Sequence, residues 1–251
     1  MTESQLGMVT AFYFIPVAIL AIFVGRALDK YSVKNFMMIG SMIYAVGLFS
    51  LSFINSFWSL ITIYLTILAL GSIMMGNLAV AKLISNWFDK NAGRALGIAA
   101  VGISFSGVVL PLIVDPLLDI VGWRNVYVIF ASVVLFIILP LIFFVVIDDP
   151  YTVNQVKDGM KRDLEEESLP KVMTSKNLLS KKVFWIISLA FAFQFLSMMG
   201  VIAFLPIHAS KMGLDQTWNL IGFPVKQYVF AYALAAFGGV LGKLIFGYLI
   251  D

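Results

Sequence analysis

The chain alternates between long apolar runs and short polar loops. Seven runs consist almost entirely of apolar residues: 6–24, 36–54, 58–84, 95–117, 126–147, 183–206 and 228–249. A helix of about 20 residues rises about 30 Å, which is the thickness of the hydrocarbon core of a bilayer. A single segment in lipid must satisfy its own backbone hydrogen bonds, so each run is predicted to be a transmembrane helix.

Lysine and arginine are concentrated in every second loop. The cation-rich loops follow the first, third and fifth runs and contain Arg26, Lys30 and Lys34, then Lys90 and Arg94, then the lysines of residues 157–182. Cytoplasmic loops collect Lys and Arg, so the pattern predicts a multi-pass protein of a plasma membrane or a bacterial inner membrane. Its N-terminus is predicted to lie outside the cell, and the segment after the fifth run and Asp251 in the cytoplasm.

Composition supports the same class of protein. The chain is 61% hydrophobic and 12% charged, with a mean hydropathy of +0.97, whereas soluble domains average about 45–50% apolar and about 25% charged residues. The net charge of +3 comes from cations in short loops rather than on one basic face, so nucleic acid is not an expected partner. The partner expected from composition is the lipid bilayer.

Residues that would indicate an enzyme are missing from the sequence pattern. The chain has no cysteine, which excludes disulfides and thiolate metal sites. No metal-ligand cluster, nucleophile–base pair or phosphate-binding loop is recognisable. We therefore expect a protein that is not an enzyme and that uses no cofactor or metal.

One long polar segment divides the apolar runs into two groups. Residues 148–182 carry charges of both signs and are too polar to cross lipid. We interpret them as a solvated cytoplasmic linker. The predicted domains are a helical bundle at 1–147 with five spans, the linker at 148–182, and the start of a second bundle at 183–251 with two spans.

A short motif occurs twice at equivalent places. "GRALD", Gly25 to Asp29, closes the first apolar run, and "GYLID", Gly247 to Asp251, closes the seventh. Both runs are predicted to cross the membrane in the same direction. A motif repeated at a fixed internal offset indicates a duplicated unit, and parallel repeats of helical bundles build one large class of transporters.

The motif resembles a loop of a known family. "GRALDKYSVKN" is similar to the loop between the second and third helices of the major facilitator superfamily, with Gly25, Asp29, Lys30 and Lys34 in matching positions, Arg26 inside the motif and Ser32 where a second glycine is usual. "NWFDKNAGRALGIAAVGISFSGVVLP", "GWRN" and "DDPYTVNQVKDG" resemble segments of its monocarboxylate and oxalate:formate carriers. The resemblance extends over nearly the whole chain.

The resemblance implies a fold and a function. The fold would be an all-α membrane protein of two bundles, in which the seven spans correspond to family helices two through eight of twelve. The function would be transport of monocarboxylates or related organic anions by alternating access, coupled to a proton or to a counter-anion. The charged loops, with Gly247 and Asp251, would latch the bundles together on the cytoplasmic side. Gly25 is expected to allow close approach of a neighbouring helix or a left-handed cap, and Asp29 to accept hydrogen bonds from helix N-terminal amides and to pair with a cation.

Several alternatives remain open. The chain resembles a fragment that lacks the first helix and the last four, so it is expected to be a monomer if complete and to need a complementary fragment if truncated. A truncated, non-transporting subunit is the main alternative, followed by a carrier of another solute such as a sugar, a drug or a nitrate-like anion. A seven-helix receptor fits the number of spans and little else.

Candidate packing and cavity residues follow from residue type. Glycines and a proline in the fourth run are expected to allow close helix packing or a kink: Gly97, Gly102, Gly107 and Pro111. Polar residues inside runs are candidates to line a cavity or to make interhelical contacts: Asn77, Ser104, Gln194, Tyr228 and Tyr232. No Lys or Arg lies in the middle of a run, although an anion carrier is expected to have one. Lys243 lies near the inner end of the seventh run and is expected to reach the cytoplasmic membrane surface or to pair with Asp251.

Overall fold

The computed structural model describes residues 3–158, 180–214, 216–220 and 223–250, and these are mostly helical. A helix occupies the position of every predicted span. The helices are α1 (Glu3–Leu28), α2 (Val33–Leu51), α3 (Phe57–Ile63), α4 (Ala69–Met75), α5 (Asn77–Trp87), α6 (Ala92–Val133), α7 (Leu139–Val145), α8 (Lys182–Lys211) and α9 (Gln227–Ile250). The all-α class predicted from the apolar runs is confirmed for these segments.

Four helical stretches of the described residues are long and apolar enough to cross a bilayer. They are Val33–Leu51, Phe57–Trp87, Ala92–Val145 and Gln227–Ile245, with shorter apolar stretches at Phe12–Leu28 and Lys182–Ser197. Large apolar side chains cover the outside of the molecule; Phe136 and Phe144, for example, are 77% and 78% exposed. Such a surface is stable in contact with hydrocarbon rather than water.

The 54-residue stretch from Ala92 to Val145 contains two predicted spans. Its helix is interrupted at Gly122, where φ is +75° and ψ is 159°. The chain reverses there, because residues at both ends of the stretch, Asn91 and Ile147, lie beside Trp87 and its neighbours. Only glycine adopts this positive φ readily, so the reversal depends on this residue.

The third predicted span is an interrupted helix rather than a regular one. A π-helical turn, Tyr64–Leu68, separates α3 from α4, and α4 ends at Gly76. Gly76 is extended, and a Cβ there would collide with the carbonyl oxygen of Ser72. A second π-helical turn, Val134–Ile138, joins α6 to α7. Turns of this kind inside helices often occur at functional sites.

A short hairpin lies outside the predicted spans, between α8 and α9. Strands β1 (Thr217–Leu220) and β2 (Phe223–Lys226) are antiparallel, with Thr217 opposite Lys226 and Leu220 opposite Phe223. The sequence analysis predicted only a loop here, because strands of four residues are too short to show a periodic pattern. The hairpin folds against the start of α9, where the ring centroids of Trp218 and Phe230 are 5.9 Å apart.

Helix α2 packs closely against α4 through glycines. A Cβ at Gly71 would lie 2.6 Å from the backbone nitrogen of Tyr44, and one at Gly40 would lie 2.6 Å from the Cβ of Met74. Two clusters of buried apolar residues flank this crossing, one around Leu51 and one around Val33. Lipid is as apolar as the side chains, so close van der Waals packing of this kind must hold the helices together.

We predict that Gly71→Ala destabilises the protein. Its methyl group would meet the backbone of α2, and overpacking of this kind costs about 1–3 kcal/mol. The thermal midpoint of the detergent-solubilised chain should fall by several degrees. Gly102→Ala is the matched control, since no atom of another described element lies within 4 Å of a Cβ there, and its midpoint should stay the same or rise. Equal shifts in both variants would contradict the prediction.

Candidate functional site

The loop after α1 carries an ion pair to α5. Helix α1 ends at Leu28, and the Asp29 carboxylate accepts a hydrogen bond of 2.7 Å from the Nζ of Lys82. The side chain of Asp29 is 68% exposed and that of Lys82 is 33% exposed. An exposed pair contributes little to stability, about 0–1 kcal/mol. Its main effect is to hold the loop beside α5. We call this end of the helices the Asp29 end.

The sequence suggested that Asp29 would bind helix N-terminal amides, but the amides at the start of α2 are bound by other side chains. The Oγ of Ser32 accepts a hydrogen bond of 3.1 Å from the backbone N–H of Asn35, which is a helix N-cap. The carboxylate of Asp148 accepts one of 2.6 Å from the backbone N–H of Lys34. The cap explains why serine is accommodated where the family motif usually has glycine.

The start of the predicted linker is docked on the first bundle. The backbone carbonyl of Asp148 accepts a hydrogen bond of 3.0 Å from the side-chain amide of Asn86. The carbonyl of Ile147 accepts one of 2.9 Å from the indole N–H of Trp87. These bonds join the end of α7 to the end of α5 and hold the first residue of the predicted linker on the first bundle; the linker over residues 148–182 remains a prediction.

A second aspartate extends the same contact. The carboxylate of Asp158 accepts hydrogen bonds from the backbone N–H and the side-chain amide of Asn91, at 2.9 and 2.8 Å. Its backbone N–H donates to the carbonyl of Trp87. Nearby, Lys157 lies 3.4 Å from the carboxylate of Asp89. The linker and the loop between α5 and α6 therefore form one charged layer at the Asp29 end. Residues 159–179 lie outside the described residues.

The other residues of the first motif take different positions. Gly25 does not allow a close helix approach, because a Cβ there would make an ordinary 3.8 Å contact with Leu78. The side chains of Arg26 and Lys30 are exposed. The ammonium group of Lys34 lies 5.3 Å from the ring centroid of Phe143. Asp251, the last residue of the second motif, lies outside the described residues.

Helices α6 and α9 cross the molecule side by side in opposite directions. We call their contact the α6–α9 seam, and it begins where a Cβ at Gly97 would lie 2.8 Å from the Cα of Gly247. About one turn further along, the Nζ of Lys243 donates a hydrogen bond of 2.9 Å to the carbonyl of Ala100. Lys243 was expected to reach the inner membrane surface or to pair with Asp251; here it bonds the backbone of α6.

The seam continues through small residues toward the opposite end. A Cβ at Gly239 would lie 2.9 Å from the Oγ of Ser104, and one at Gly107 would lie 3.2 Å from the Cβ of Ala236. Two of the predicted packing glycines, Gly97 and Gly107, thus contact α9. Gly102 has no such contact within the described residues. Pro111 lies inside α6 without ending the helix.

A second polar layer lies at the opposite end of the helices. The guanidinium group of Arg124 donates hydrogen bonds to the carbonyl of Ile54 and the side-chain oxygen of Asn55, at 3.1 and 2.9 Å. It also lies 4.2 Å from the ring centroid of Trp123. We call this the Arg124 end. A shallow pocket of about 350 Å³ there is lined by Ser52, Phe53, Asn55, Arg124, Asn125 and Val128.

The hairpin joins the seam at this end through an ion pair. The Nζ of Lys226 lies 3.6 Å from the carboxylate of Asp115 on α6. Tyr228 and then Asp115 raise the pKa of Lys226 above its ordinary value, against a smaller lowering by partial burial. Lys226 therefore stays charged at neutral pH. The contacts of α6 with α9 and the hairpin thus extend along α6 from Gly97 to Asp115, a rise of about 27 Å.

The predicted cavity residues do not converge on one site. Asn77 begins α5 and is exposed, and Gln194 on α8 is exposed. Ser104 lies in the seam, while Tyr228 and Tyr232 are half-buried on α9. The backbone N–H of Tyr228 donates to the carbonyl of Leu214 below the hairpin. Their role in a solute cavity remains a prediction.

A group of tyrosines inside the first bundle was not predicted from the sequence. The hydroxyl of Tyr13 donates a hydrogen bond to the Oγ of Ser72, and its ring lies 5.3 Å from that of Tyr64. Tyr44 and Tyr127 pack against the same buried cluster. The four residues are far apart in sequence and lie on different helices, so no local pattern could bring them together.

Comparisons with known proteins agree with this architecture. The sequence profile of the Major Facilitator Superfamily matches residues 1–251. An "MFS-type transporter" of Gibberella moniliformis is 30% identical over 40% of this chain and 24% of its own length. The "Uncharacterized MFS-type transporter YcxA" of Bacillus subtilis is 25% identical over 57% of this chain and 35% of its own length. The "Fujikurins efflux protein" of Gibberella fujikuroi is 29% identical over 41% and 21%, respectively.

These matches cover only part of each relative. The aligned region spans 24% of the Gibberella moniliformis protein and 35% of the Bacillus protein. The profile match, in contrast, extends over the whole chain. The charged layers, the apolar helices and the family profile together lead to one conclusion: this chain belongs to the Major Facilitator Superfamily.

Proposed function

We propose that this chain forms part of a transporter that moves small organic solutes across a membrane by alternating access. The observation that carries the proposal is the α6–α9 seam, which is the contact between the five-span unit and α9 of the second unit. Small residues bring the two helix backbones together there, and no large side chain interlocks to prevent one helix from rotating against the other at these glycines. Rocking of two bundles requires a contact of this kind between them.

The two repeated motifs support the same proposal. Gly25 and Asp29 lie at the Asp29 end, and Gly247 contacts Gly97, which is six residues beyond Asn91 of the charged layer. Both motifs therefore lie at one end of the helices, as a parallel duplication requires. We propose that this end faces the cytoplasm, since it collects the cations, and that its charged residues latch the bundles when the cavity opens outward.

We further propose monocarboxylates or related organic anions as the solutes, with coupling to a proton or exchange for another anion. The support is the resemblance of "NWFDKN" and "DDPYTVNQVKDG" to carriers of such anions. We propose Lys243, a cation within α9, as the residue that binds the anion, and in this structure it donates to the carbonyl of Ala100. An anion must therefore compete with that carbonyl for the lysine.

A second candidate is export of a larger organic metabolite. One relative is named an efflux protein for fujikurins, and the exposed apolar and aromatic surface of this chain gives no preference for a small anion. A third is a subunit that inserts into the membrane without moving a solute. Transport direction and substrate size separate these candidates.

Reconstitution of the 251-residue chain tests the proposal. Proteoliposomes should accumulate a radiolabelled monocarboxylate faster than protein-free vesicles, and an imposed proton gradient or an internal carboxylate should raise the initial rate. Stable insertion without flux of any carboxylate would support the subunit. Flux of apolar dyes without flux of carboxylates would support export of metabolites.

We predict that Gly97→Leu abolishes flux or lowers it at least tenfold. The side chain would meet the Cα of Gly247 and force α6 and α9 apart. Gly102→Leu is the control, because its side chain enters open space in the described structure, and it should keep more than half of the initial rate. Equal loss in both variants would show that the seam has no special role in flux.

The Asp29–Lys82 pair lies within the first bundle and holds the charged loop in place for the proposed latch. We predict that it acts on rate more than on stability. Asp29→Asn and Lys82→Gln should each lower the initial rate of uptake severalfold. Each should lower the free energy of unfolding by no more than an exposed ion pair contributes, about 1 kcal/mol. The exchanged pair Asp29→Lys with Lys82→Asp should recover part of the rate. A loss of stability large enough to account for the lost rate would contradict a latch.

A further inference from the structure

The β-hairpin links the two units at the Arg124 end of the α6–α9 seam. Strand β2 lies against both α6 and α9, and Val225 within it is 2% exposed. The next residue, Lys226, extends to α6, where its Nζ lies 3.6 Å from the carboxylate of Asp115. The hairpin belongs to the second unit and α6 to the first, so this ion pair spans the contact between them.

The ion pair is partly withdrawn from solvent. The side chain of Asp115 is 14% exposed and that of Lys226 is 39% exposed. Partly buried charges are screened less than exposed ones, so this pair should attract more strongly than Asp29 and Lys82, whose side chains are 68% and 33% exposed. Removal of either charge would leave the other one partly buried and uncompensated, which is costly.

The hairpin is fixed to the start of α9. Strand β2 ends at Lys226, and α9 begins at the following residue, Gln227. The backbone N–H of Gln227 donates a hydrogen bond of 3.0 Å to the carbonyl of Gln216, just before β1. The ring centroids of Trp218 and Phe230 are 5.9 Å apart. These contacts join the hairpin to α9 without an intervening loop, so Lys226 must move together with α9.

A close helix contact lies about two turns of α6 from this ion pair. A Cβ at Gly107 would lie 3.2 Å from the Cβ of Ala236 on α9. Gly107 precedes Asp115 by about 12 Å along the helix axis. Because Lys226 moves with α9, a rotation that separates Ala236 from Gly107 also draws Lys226 away from Asp115. The helix contact and the ion pair should therefore open and close together.

We propose that the hairpin is a clasp for the Arg124 end of the seam, with Lys226 bound to Asp115 while α6 and α9 are in contact and released when they separate. This inference deepens the proposed function and rests on it, since alternating access requires the two ends of the transporter to open in turn. The ion pair lowers the free energy of the closed arrangement only, so it biases the equilibrium toward closure. The Asp29–Lys82 pair lies within the first bundle and has no such effect across the seam.

Asp119 provides a matched control on the same helix. It lies one turn beyond Asp115, so the two side chains project from a similar face of α6. Asp119 is exposed, and it raises the pKa of Lys226 less than Tyr228 or Asp115 does. Asp119 therefore carries the same charge near Lys226 without the burial, and its removal should leave the clasp closed.

Labelling of a buried cysteine tests the clasp on the full chain in lipid nanodiscs, which leave both faces of the bilayer open to solvent. The chain has no cysteine, so Val225→Cys supplies a single thiol in the strand that carries Lys226. A maleimide should label this thiol slowly, because Val225 is 2% exposed. Labelling as fast as that of a free thiol would show that the hairpin is not held on α6 and would overturn the proposal.

Substitutions assign the protection to the ion pair. In the Val225→Cys background, Asp115→Asn and Lys226→Gln should each raise the labelling rate about fivefold or more, the factor that corresponds to the upper limit for an exposed pair. The reversed pair, Asp115→Lys with Lys226→Asp, should restore slow labelling, which controls for folding. Asp119→Asn should label at the unchanged slow rate. An equal rise in Asp119→Asn, or no rise in the first two variants, would refute the clasp.

A disulfide across the seam separates the clasp from a local movement of the hairpin. Gly107→Cys with Ala236→Cys adds two thiols whose Cβ atoms would be 3.2 Å apart, near the separation of about 3.5–4.5 Å in disulfides. After oxidation of this pair, Val225→Cys should again be labelled slowly even with Asp115→Asn, because the hairpin cannot leave α6 while the seam is closed. Fast labelling despite the disulfide would show that the hairpin moves alone and that the proposal is wrong.

These measurements need no solute, so they separate the clasp from the proposed function. If the labelling results hold and no solute moves in any reconstitution, the clasp stands and the proposed transport fails. If a solute moves but labelling does not respond to the ion pair, the clasp fails and the proposed transport stands.

Discussion

Close contact of helix backbones in lipid is the constraint on which this structure depends. Side chains and acyl chains are equally apolar, so burial alone does not hold two transmembrane helices together, and close packing must do so. Two crossings use it in different ways. Gly71 brings α4 against the backbone of α2 within the first bundle. Gly97 and Gly247 bring α6 against α9, between the bundle and the second unit. The first contact stabilises a fixed unit, and the second lies where the proposed transport cycle requires movement.

The ion pairs described above lie at the two ends of the helices, whereas the interior of the first bundle holds uncharged polar contacts such as that of Tyr13 with Ser72. At the Asp29 end, Asp148 binds the start of α2, and Asp158 binds the loop before α6. At the Arg124 end, one guanidinium group joins two loops. This separation follows from the cost of leaving polar groups unpaired in hydrocarbon. It also places the Asp29–Lys82 pair, the contact of Asp148 with the start of α2 and the Gly97–Gly247 contact at the Asp29 end.

The outcome of the site predictions depends on how local each signal was. The span positions and the charged loops were predictable, because apolar length and cation placement are properties of short stretches. The roles of individual motif residues were less so. The sequence suggested that Asp29 binds helix N-terminal amides and pairs with a cation, and that Gly25 permits a close helix approach or a left-handed cap. Asp29 does pair with Lys82, but Asp148 binds the amide at the start of α2, and Gly247 makes the close approach. Both replacements come from distant parts of the chain, so no single motif could reveal them.

The sequence by itself determined that the chain lies in a membrane, where its helices are and that the same motif closes two of them. These follow from hydropathy and from repetition, which need no knowledge of contacts. Only the tertiary structure decided which glycines are packed, since Gly97 and Gly107 face α9 while a Cβ at Gly102 would meet no other element of the described residues within 4 Å. It alone brought Lys226 of the hairpin to Asp115 of α6. The reason is geometric: a helix presents each residue to one direction, and the neighbour in that direction is set by how the helices cross.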